Sequence, residues 1–365
     1  MTIDGRIISL EHFNVLARKG EGDKSFLLYA HMDTVPPVGA WKKMGLDPYI
    51  PREAEGRLYG LGSSDMKGGI AAILSAIGNL APRGYVLKVA FGVDEENESM
   101  GAHLLAGSDF ISDCAGCIVP EVGSGNATPS PRNIIIGRHG RSRTGIRVTG
   151  RAAHASTPEH IINPVEYALS AIDEVKKIDL GNDPDMPEPN VSIGGIQAMG
   201  GGLSSPEDCI IWFDNIFSPP KTVARVLNDY RATCRNLEEK HQNPETGLPR
   251  FEVIDPGEKT GEPLEYNLRT TPFMEPWKMD PSHRLVDCAR DAVRRVTGEE
   301  GILTWGKSNA DENYLGQVIP TVVIPPVGGN EHQGGEYVEI ESLTLCQRII
   351  TDTVSLYMER KTMGI

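Results

Sequence analysis

The amino-acid sequence predicts a mixed-sheet α/β domain into which a smaller α+β domain of ferredoxin-like order is inserted. Two observations predict the larger domain. Short apolar runs end abruptly in histidine or acidic residues, and a stretch of helical periodicity lies between the first two of them. A third observation predicts the insertion: from about residue 141 the elements follow a β-α-β-β-α-β order, and near residue 273 the pattern of the larger domain resumes.

The first apolar run, Ser25-Phe26-Leu27-Leu28-Tyr29-Ala30, is too short for a helix and stops at His31-Met32-Asp33. It reads as a buried strand delivering polar groups at its carboxyl end. Over 66–80, Ile70, Ile73, Leu74 and Ile77 recur at three- and four-residue steps, as in an amphipathic helix. A second strand over 85–93 runs into Asp94-Glu95-Glu96, and a third, Cys117-Ile118-Val119-Pro120, runs into Glu121. Sheets of alternating strands and helices bind ligands at the carboxyl ends of their strands, where all three polar clusters fall. The inserted order comprises a strand at 144–149, a helix at 164–177, strands at 191–193 and 210–213, a helix at 221–238 and a strand at 250–254. Segment 242–272, rich in Pro, Gly, Thr and Glu, contains the return linker. A helix at 287–295, a strand at 321–324 and a last helix at 343–357 complete the larger domain. The expected division is therefore 1–140 with 273–365 for the larger domain, and 141–272 for the smaller.

A chain of 365 residues exceeds the size at which a single core stops growing, which agrees with two domains. Hydrophobic residues at 39% and charged residues at 24% are globular values and exclude a largely disordered chain. The net charge of -14 repels phosphate backbones and anionic lipid, which argues against nucleic-acid and membrane partners. No apolar run approaches the roughly 20 residues that span a bilayer, and the first residues lack a charged-then-apolar signal. A cytoplasmic location is expected. The six cysteines then read as reduced thiols, and Cys114-Ala115-Gly116-Cys117 as a structural pair without the second pair that a zinc site requires.

Five separated fragments place good metal ligands in turns after buried elements: His31-Met32-Asp33, Ser64-Asp65-Met66-Lys67-Gly68-Gly69, Asp94-Glu95-Glu96, Pro120-Glu121 and Gly329-Asn330-Glu331-His332. One such fragment is an ordinary polar turn; five in one chain need a common explanation. In this order they resemble the two-zinc metallopeptidase family of acetylornithine deacetylase, succinyl-diaminopimelate desuccinylase, aminoacylase and glutamate carboxypeptidase. The resemblance covers most of the chain. It implies two Zn²⁺ per subunit, with Co²⁺ or Mn²⁺ able to substitute. His31 and Glu121 would hold one ion, Glu96 and His332 the other, and Asp65 would bridge both. Asp33 would keep the His31 imidazole in one tautomer. Glu95, next to a ligand yet free of metal, would be the general base that generates a metal-bound hydroxide for attack on an amide carbonyl.

The smaller domain carries Gly150-Arg151-Ala152-Ala153-His154-Ala155-Ser156-Thr157-Pro158, which is similar to the family's GxxxHxSxP segment. The resemblance implies that His154 reaches the active site of a second subunit and steadies an oxyanion, so that the smaller domain is both lid and dimerisation surface. The implied reaction is cleavage of an N-acyl amino acid or short peptide, of deacylase or carboxypeptidase type. Two arginines that many relatives use for the substrate carboxylate are replaced: the positions read Asn215-Ile216-Phe217 and Asp311-Glu312-Asn313. Arg138, Arg141 and Arg143 are candidates to stand in. Ser308-Asn309-Ala310-Asp311 resembles the tripeptidase branch, so a di- or tripeptide aminopeptidase stays open, as does a silent metabolite-binding relative. Relatives have a helix and a strand before the segment matching Phe13-Asn14-Val15-Leu16, so a truncated start or a dispensed-with edge is expected.

Overall fold

The computed structural model describes residues 13–97, 99–123, 128–254 and 273–359, with two short paired strands at 2–3 and 6–7. Part of the predicted return linker, 255–272, lies outside the described residues. The chain divides into two compact units, one of 1–138 with 277–365 and one of 139–276.

In chain order the larger unit contains β1 (Val15–Lys19), β2 (Ser25–His31), α1 (Gly68–Asn79), β3 (Val86–Gly92), α2 (Met100–Ala106), β4 (Cys114–Val119) and β5 (Asn133–Arg138). The smaller unit follows with β6 (Gly140–Thr149), α3 (Pro164–Val175), β7 (Asn190–Gln197), β8 (Asp208–Phe217), α4 (Val223–His241), β9 (Arg250–Ile254) and β10 (Phe273–Met274). The larger unit resumes with β11 (Trp277–Lys278), α5 (Arg284–Thr297), β12 (Ile302–Gly306), β13 (Thr321–Val323) and α6 (Ile340–Glu359).

The main sheet of the larger unit has the order β11-β5-β13-β4-β2-β3-β1, with β12 also paired to β5. Its centre, β13-β4-β2-β3, is parallel, and β1 and β5 attach antiparallel at either side. Every residue of β2 is buried, as expected of a central strand in a parallel sheet covered on both faces. Helix α1 packs on the sheet through Ala72, Ile73 and Ala76, and α5 through Leu285, Val286 and Ala289. A second, four-stranded sheet joins Arg52–Ala54 and Arg57–Tyr59 to Tyr337–Glu339 and Gly328–Gly329, so it ties early chain to late chain.

The smaller unit is an antiparallel sheet of order β7-β8-β6-β9, the second, third, first and fourth strands of its β-α-β-β-α-β sequence. That is the ferredoxin-like order expected from the sequence. Its core is made of Ile146, Val148, Phe213 and Phe217 from the sheet with Ala171, Val175, Tyr230 and Leu237 from the helices. Helix α3 begins at Pro164, and Asn163 caps it by accepting from the Val165 N–H.

The division between units falls a few residues from 140/141 and 272/273 for a reason visible in the pairing. β5 continues to Arg138 and pairs there with Trp277 of β11, whereas Phe273 and Met274 pair with Ser142 and Arg141 of β6. The pair Cys114 and Cys117 lies within β4 with both thiols free, as do all six cysteines, each of them buried. Among the described residues no helix is long and apolar enough to cross a membrane.

Candidate metal centre

The parallel strands deliver the chemistry at their carboxyl ends. His31 is the last residue of β2, Glu95 and Glu96 follow β3, and Glu121 follows β4 after a single proline. Asp65 comes from the turn Ser63–Lys67 that opens α1. The turn starts at Gly62 with φ of 75°, where a Cβ would come within 2.5 Å of the Thr34 side chain, so glycine is required there. It is then fastened by Glu336, whose carboxylate accepts from the backbone N–H groups of Gly62, Ser64 and Asp65 at 2.8, 2.9 and 3.0 Å. His332 stands in the turn before Tyr337–Glu339 with φ of 59°, a left-handed backbone uncommon outside glycine.

Two groups of ligand atoms result. His31, Asp65 and Glu121 form one, and Asp65, Glu96 and His332 the other; within each, the atoms lie within 4.8 Å of one another. His31 Nε2 is 3.0 Å from Asp65 Oδ1 and 3.2 Å from Glu121 Oε2. His332 Nε2 is 3.3 Å from Asp65 Oδ2 and 3.0 Å from Glu96 Oε2. Tetrahedral bonds of about 2.0 Å put neighbouring ligand atoms about 3.3 Å apart, so these spacings fit an ion in each group. Asp65 offers one oxygen to each group, the arrangement of a bridging carboxylate.

The protein charges alone set up a competition with protons. Burial opposes the charge on His31, but Glu121, with hydrogen bonds to Asp33 and Asp65, pulls its pKa well above the usual imidazole value. The hydrogen bond to Asp65 raises His332 to about 9, and burial raises Glu121 to about 7. Burial also pushes the Glu95 carboxyl well up; the nearby His31 opposes this, and Asp311, Glu121 and Asp65 add to it. Cations bound in the two groups would displace such protons.

Glu95 belongs to neither group. The turn that carries it is held by Asp33, whose carboxylate accepts from the N–H groups of Glu95 and Glu96 at 3.3 and 3.1 Å. Asp33 also has its Oδ1 3.5 Å from His31 Nδ1, while its backbone carbonyl is nearer, at 3.1 Å. Behind the cluster, Tyr29 donates to the buried Asp311 at 2.5 Å, and burial raises Asp311 to about 7. Sequence reasoning gave roles to neither of these residues, nor to Glu336, because each acts through partners about 270 or more positions away. The available signals were the position of Glu336 shortly after His332 and the Asp311 that heads Asp311-Glu312-Asn313.

The three substitute arginines are all paired internally. Arg138 Nε donates to Glu312 at 2.6 Å, both groups buried, and its Nη2 donates to the carbonyl of Val122 at 3.0 Å. In the smaller unit Arg141 makes a two-pronged pair with Asp214 at 2.8 and 2.6 Å, and Arg143 reaches the same carboxylate at 3.4 Å. His154 is exposed in the smaller unit, its Nδ1 2.7 Å from Ser156 Oγ.

A model of peptidase family M20/M25/M40 matches residues 27–356. The chain belongs to that family. As a member of peptidase family M20/M25/M40 it is a metal-dependent hydrolase acting on amide bonds. It is similar to succinyl-diaminopimelate desuccinylase of Wolinella succinogenes, at 26% identity over 94% of this chain and 91% of that one. Among solved structures, a tripeptidase from Staphylococcus aureus has the same fold, with a TM-score of 0.71 at 19% identity over 95% of this chain and 84% of that one. A dinuclear metal binding peptidase of the M20 family from Bacillus subtilis matches with a TM-score of 0.65 at 14% identity over 95% of this chain and 85% of that one.

Proposed function

We propose that the protein removes the acyl group from an N-acyl amino acid, or the terminal residue from a short peptide, using two Zn²⁺ held by His31, Asp65, Glu96, Glu121 and His332. The observation that carries this reading is the sharing of Asp65 between two ligand groups while Glu95, alongside them, stays outside both. Imidazole nitrogen and carboxylate oxygen suit Zn²⁺, and Co²⁺ or Mn²⁺ can take its place. Ions held there would supply Lewis acidity, polarising the amide carbonyl and acidifying the attacking water.

The remaining steps belong to the chain. Glu95 takes the proton from that water and returns it to the departing nitrogen. Its burial favours the protonated form that it passes through between the two events. Asp33 keeps the Glu95 turn in place and restrains His31. His154 of the partner subunit donates to the developing oxyanion.

A homodimer through the smaller unit is part of this proposal. Strand β7 is an edge strand that exposes Ile193 and Ile196, with the exposed Met199 and Leu203 following it. Edge strands of that kind pair unless they are guarded. The reading also keeps the protein in the cytoplasm, where six free thiols stay reduced.

The test is a panel of N-acetyl, N-succinyl and N-formyl amino acids with di- and tripeptides, offered to zinc- or cobalt-loaded protein and read by amine release. Turnover of the acylated series, lost in Glu95→Gln with both metals retained, is expected. Silence of every compound with two metals bound would sink the reading, and a monomer by sedimentation would remove the role of His154.

A further inference from the structure

Arg138 ends β5 and is only 2% exposed, which leaves almost no surface for the substrate carboxylate it is a sequence candidate to grip. We infer that Arg138, paired with Glu312, is instead a positioning residue for the metal centre: its guanidinium fixes the turn that carries Glu121 and so sets the affinity of the ion held by His31, Asp65 and Glu121. The inference deepens the metal-hydrolase reading, on which it rests for that ion.

Three hydrogen bonds run in series from the pair to the ligand. Arg138 Nε donates to Glu312 Oε1 at 2.6 Å, and Nη2 of the same plane donates to the Val122 carbonyl at 3.0 Å. The N–H of Val122 in turn donates to Glu121 Oε1 at 2.8 Å. Both backbone groups of Val122 are therefore engaged, and one oxygen of Glu121 is tied to the backbone beside it. The other oxygen, Oε2, is left 3.2 Å from His31 Nε2 within the first ligand group. A guanidinium suits this task because its donors lie in one rigid plane, so seating Nε on the buried Glu312 also aims Nη2.

Space is kept for the group as well. Gly306 ends β12 and lies opposite Arg138 in the ladder with β5. A Cβ there would come within 2.9 Å of Arg138 Nη1 and 3.0 Å of its Cγ. The backbone of Gly306 is not left-handed, so room for the guanidinium, and not conformational freedom, calls for glycine. The charges of Arg138 and Glu312 cancel, so the pair adds no net charge to the centre whether the ions are bound or absent. What it adds is hydrogen bonds of fixed direction. A buried ion pair contributes little stability over apolar residues of like volume, and holding Glu121 accounts for the burial of these two charges.

The experiment measures Zn²⁺ binding by calorimetry in two backgrounds, each leaving one ligand group intact: His332→Ala for the first group and Glu121→Gln for the second. Into each is placed the double substitution Arg138→Met with Glu312→Leu, which removes both charges together and leaves neither buried alone. In the His332→Ala background the affinity for Zn²⁺ should fall by about tenfold or more. In the Glu121→Gln background it should stay within about twofold. Gly306→Ala keeps both charges but crowds the guanidinium; it should weaken the first group in the same direction by less, and it decides the matter if the double substitution does not fold. Arg138→Lys keeps the charge, but one ammonium cannot span both partners, so it should lose most of the same affinity. Unchanged affinity in the His332→Ala background, an equal fall in both backgrounds, or full affinity with Arg138→Lys would overturn the inference. If neither background binds Zn²⁺, the metal reading fails and takes the inference with it. If the affinities follow the expected order while no compound of the substrate panel is hydrolysed, the hydrolase reading alone fails.

Discussion

Glu336 and Glu121 are both nearly fully buried acids in the larger unit, and they are satisfied in opposite ways. Glu336 accepts three backbone N–H groups from the Gly62 to Asp65 turn. Glu121 has the N–H of its own neighbour Val122 and the imidazole of His31, a group that itself titrates. An acid held by backbone donors is part of the scaffold, since those donors are fixed and cannot leave. An acid held against other ionisable groups depends on protons or cations that come and go. The difference separates the carboxylates that build the centre from those that use it.

Asp65→Ala should break the comparison most severely, because it takes one ligand from each group. Metal analysis of the purified variant is expected to find neither ion, with activity lost. Metal affinity should next depend on pH with a definite sign. His332, raised to about 9, and Glu121, raised to about 7, carry protons that the ions must displace. Affinity therefore rises with pH up to about 9 and falls on acidification, by about tenfold per unit for each proton displaced. Calorimetry in buffers of differing ionisation heat counts those protons, and a zero count would contradict the shifts. Asp33→Asn should come third, weakening turnover or metal binding by about 10- to 100-fold, because it loosens the Glu95 turn and the His31 contact together. Kinetics at saturating metal would separate the two effects.

The smallest effects sharpen the comparison itself. Glu336→Gln should lower stability by about 2 kcal/mol with or without metal, since hydrogen bonds to a charged group are lost. Glu121→Gln should raise the unfolding midpoint in chelator at pH 8 and lower it with metal present. In chelator the cluster has more carboxylates than imidazoles, and removing one relieves repulsion. Thermal melts of both variants in both conditions supply the four numbers. Equal behaviour would erase the distinction between scaffold and ligand carboxylates.

Much of this was legible in the sequence because strong apolar runs and helical periods are local signals. The strands 25–31, 86–92 and 250–254 and the helices following Asn163 and Thr222 come within a few residues of expectation. The inserted unit's strand order followed from its element order alone. What escaped notice was either short or distant. Asn133–Arg138 contains Ile134-Ile135-Ile136 but sits between turn-rich segments, and the small second sheet is built from strands of two or three residues. The five candidate ligands stood out because each sits in a distinctive fragment, and the fold brings them together in two groups. Glu336, Tyr29 and Asp311 look ordinary locally, and their roles depend on partners the fold brings from the far end of the chain. The fate of the substitute arginines was hidden for the same reason, since Glu312 pairs with Arg138 and Asp214 with Arg141 and Arg143 through contacts invisible in spacing.

The chain leaves the larger unit at Arg138 and re-enters it at Trp277, and these two residues face each other across one antiparallel ladder. Such partners lie only about 5 Å apart. The larger unit is thus a circuit whose two loose ends already touch, and a tight hairpin of two to five residues could close it in place of everything between. None of the five candidate ligands, nor Glu95 or Asp33, lies in the excised stretch. The candidate centre is in that sense a portable module, and the smaller unit a removable length of chain spliced in at a single point.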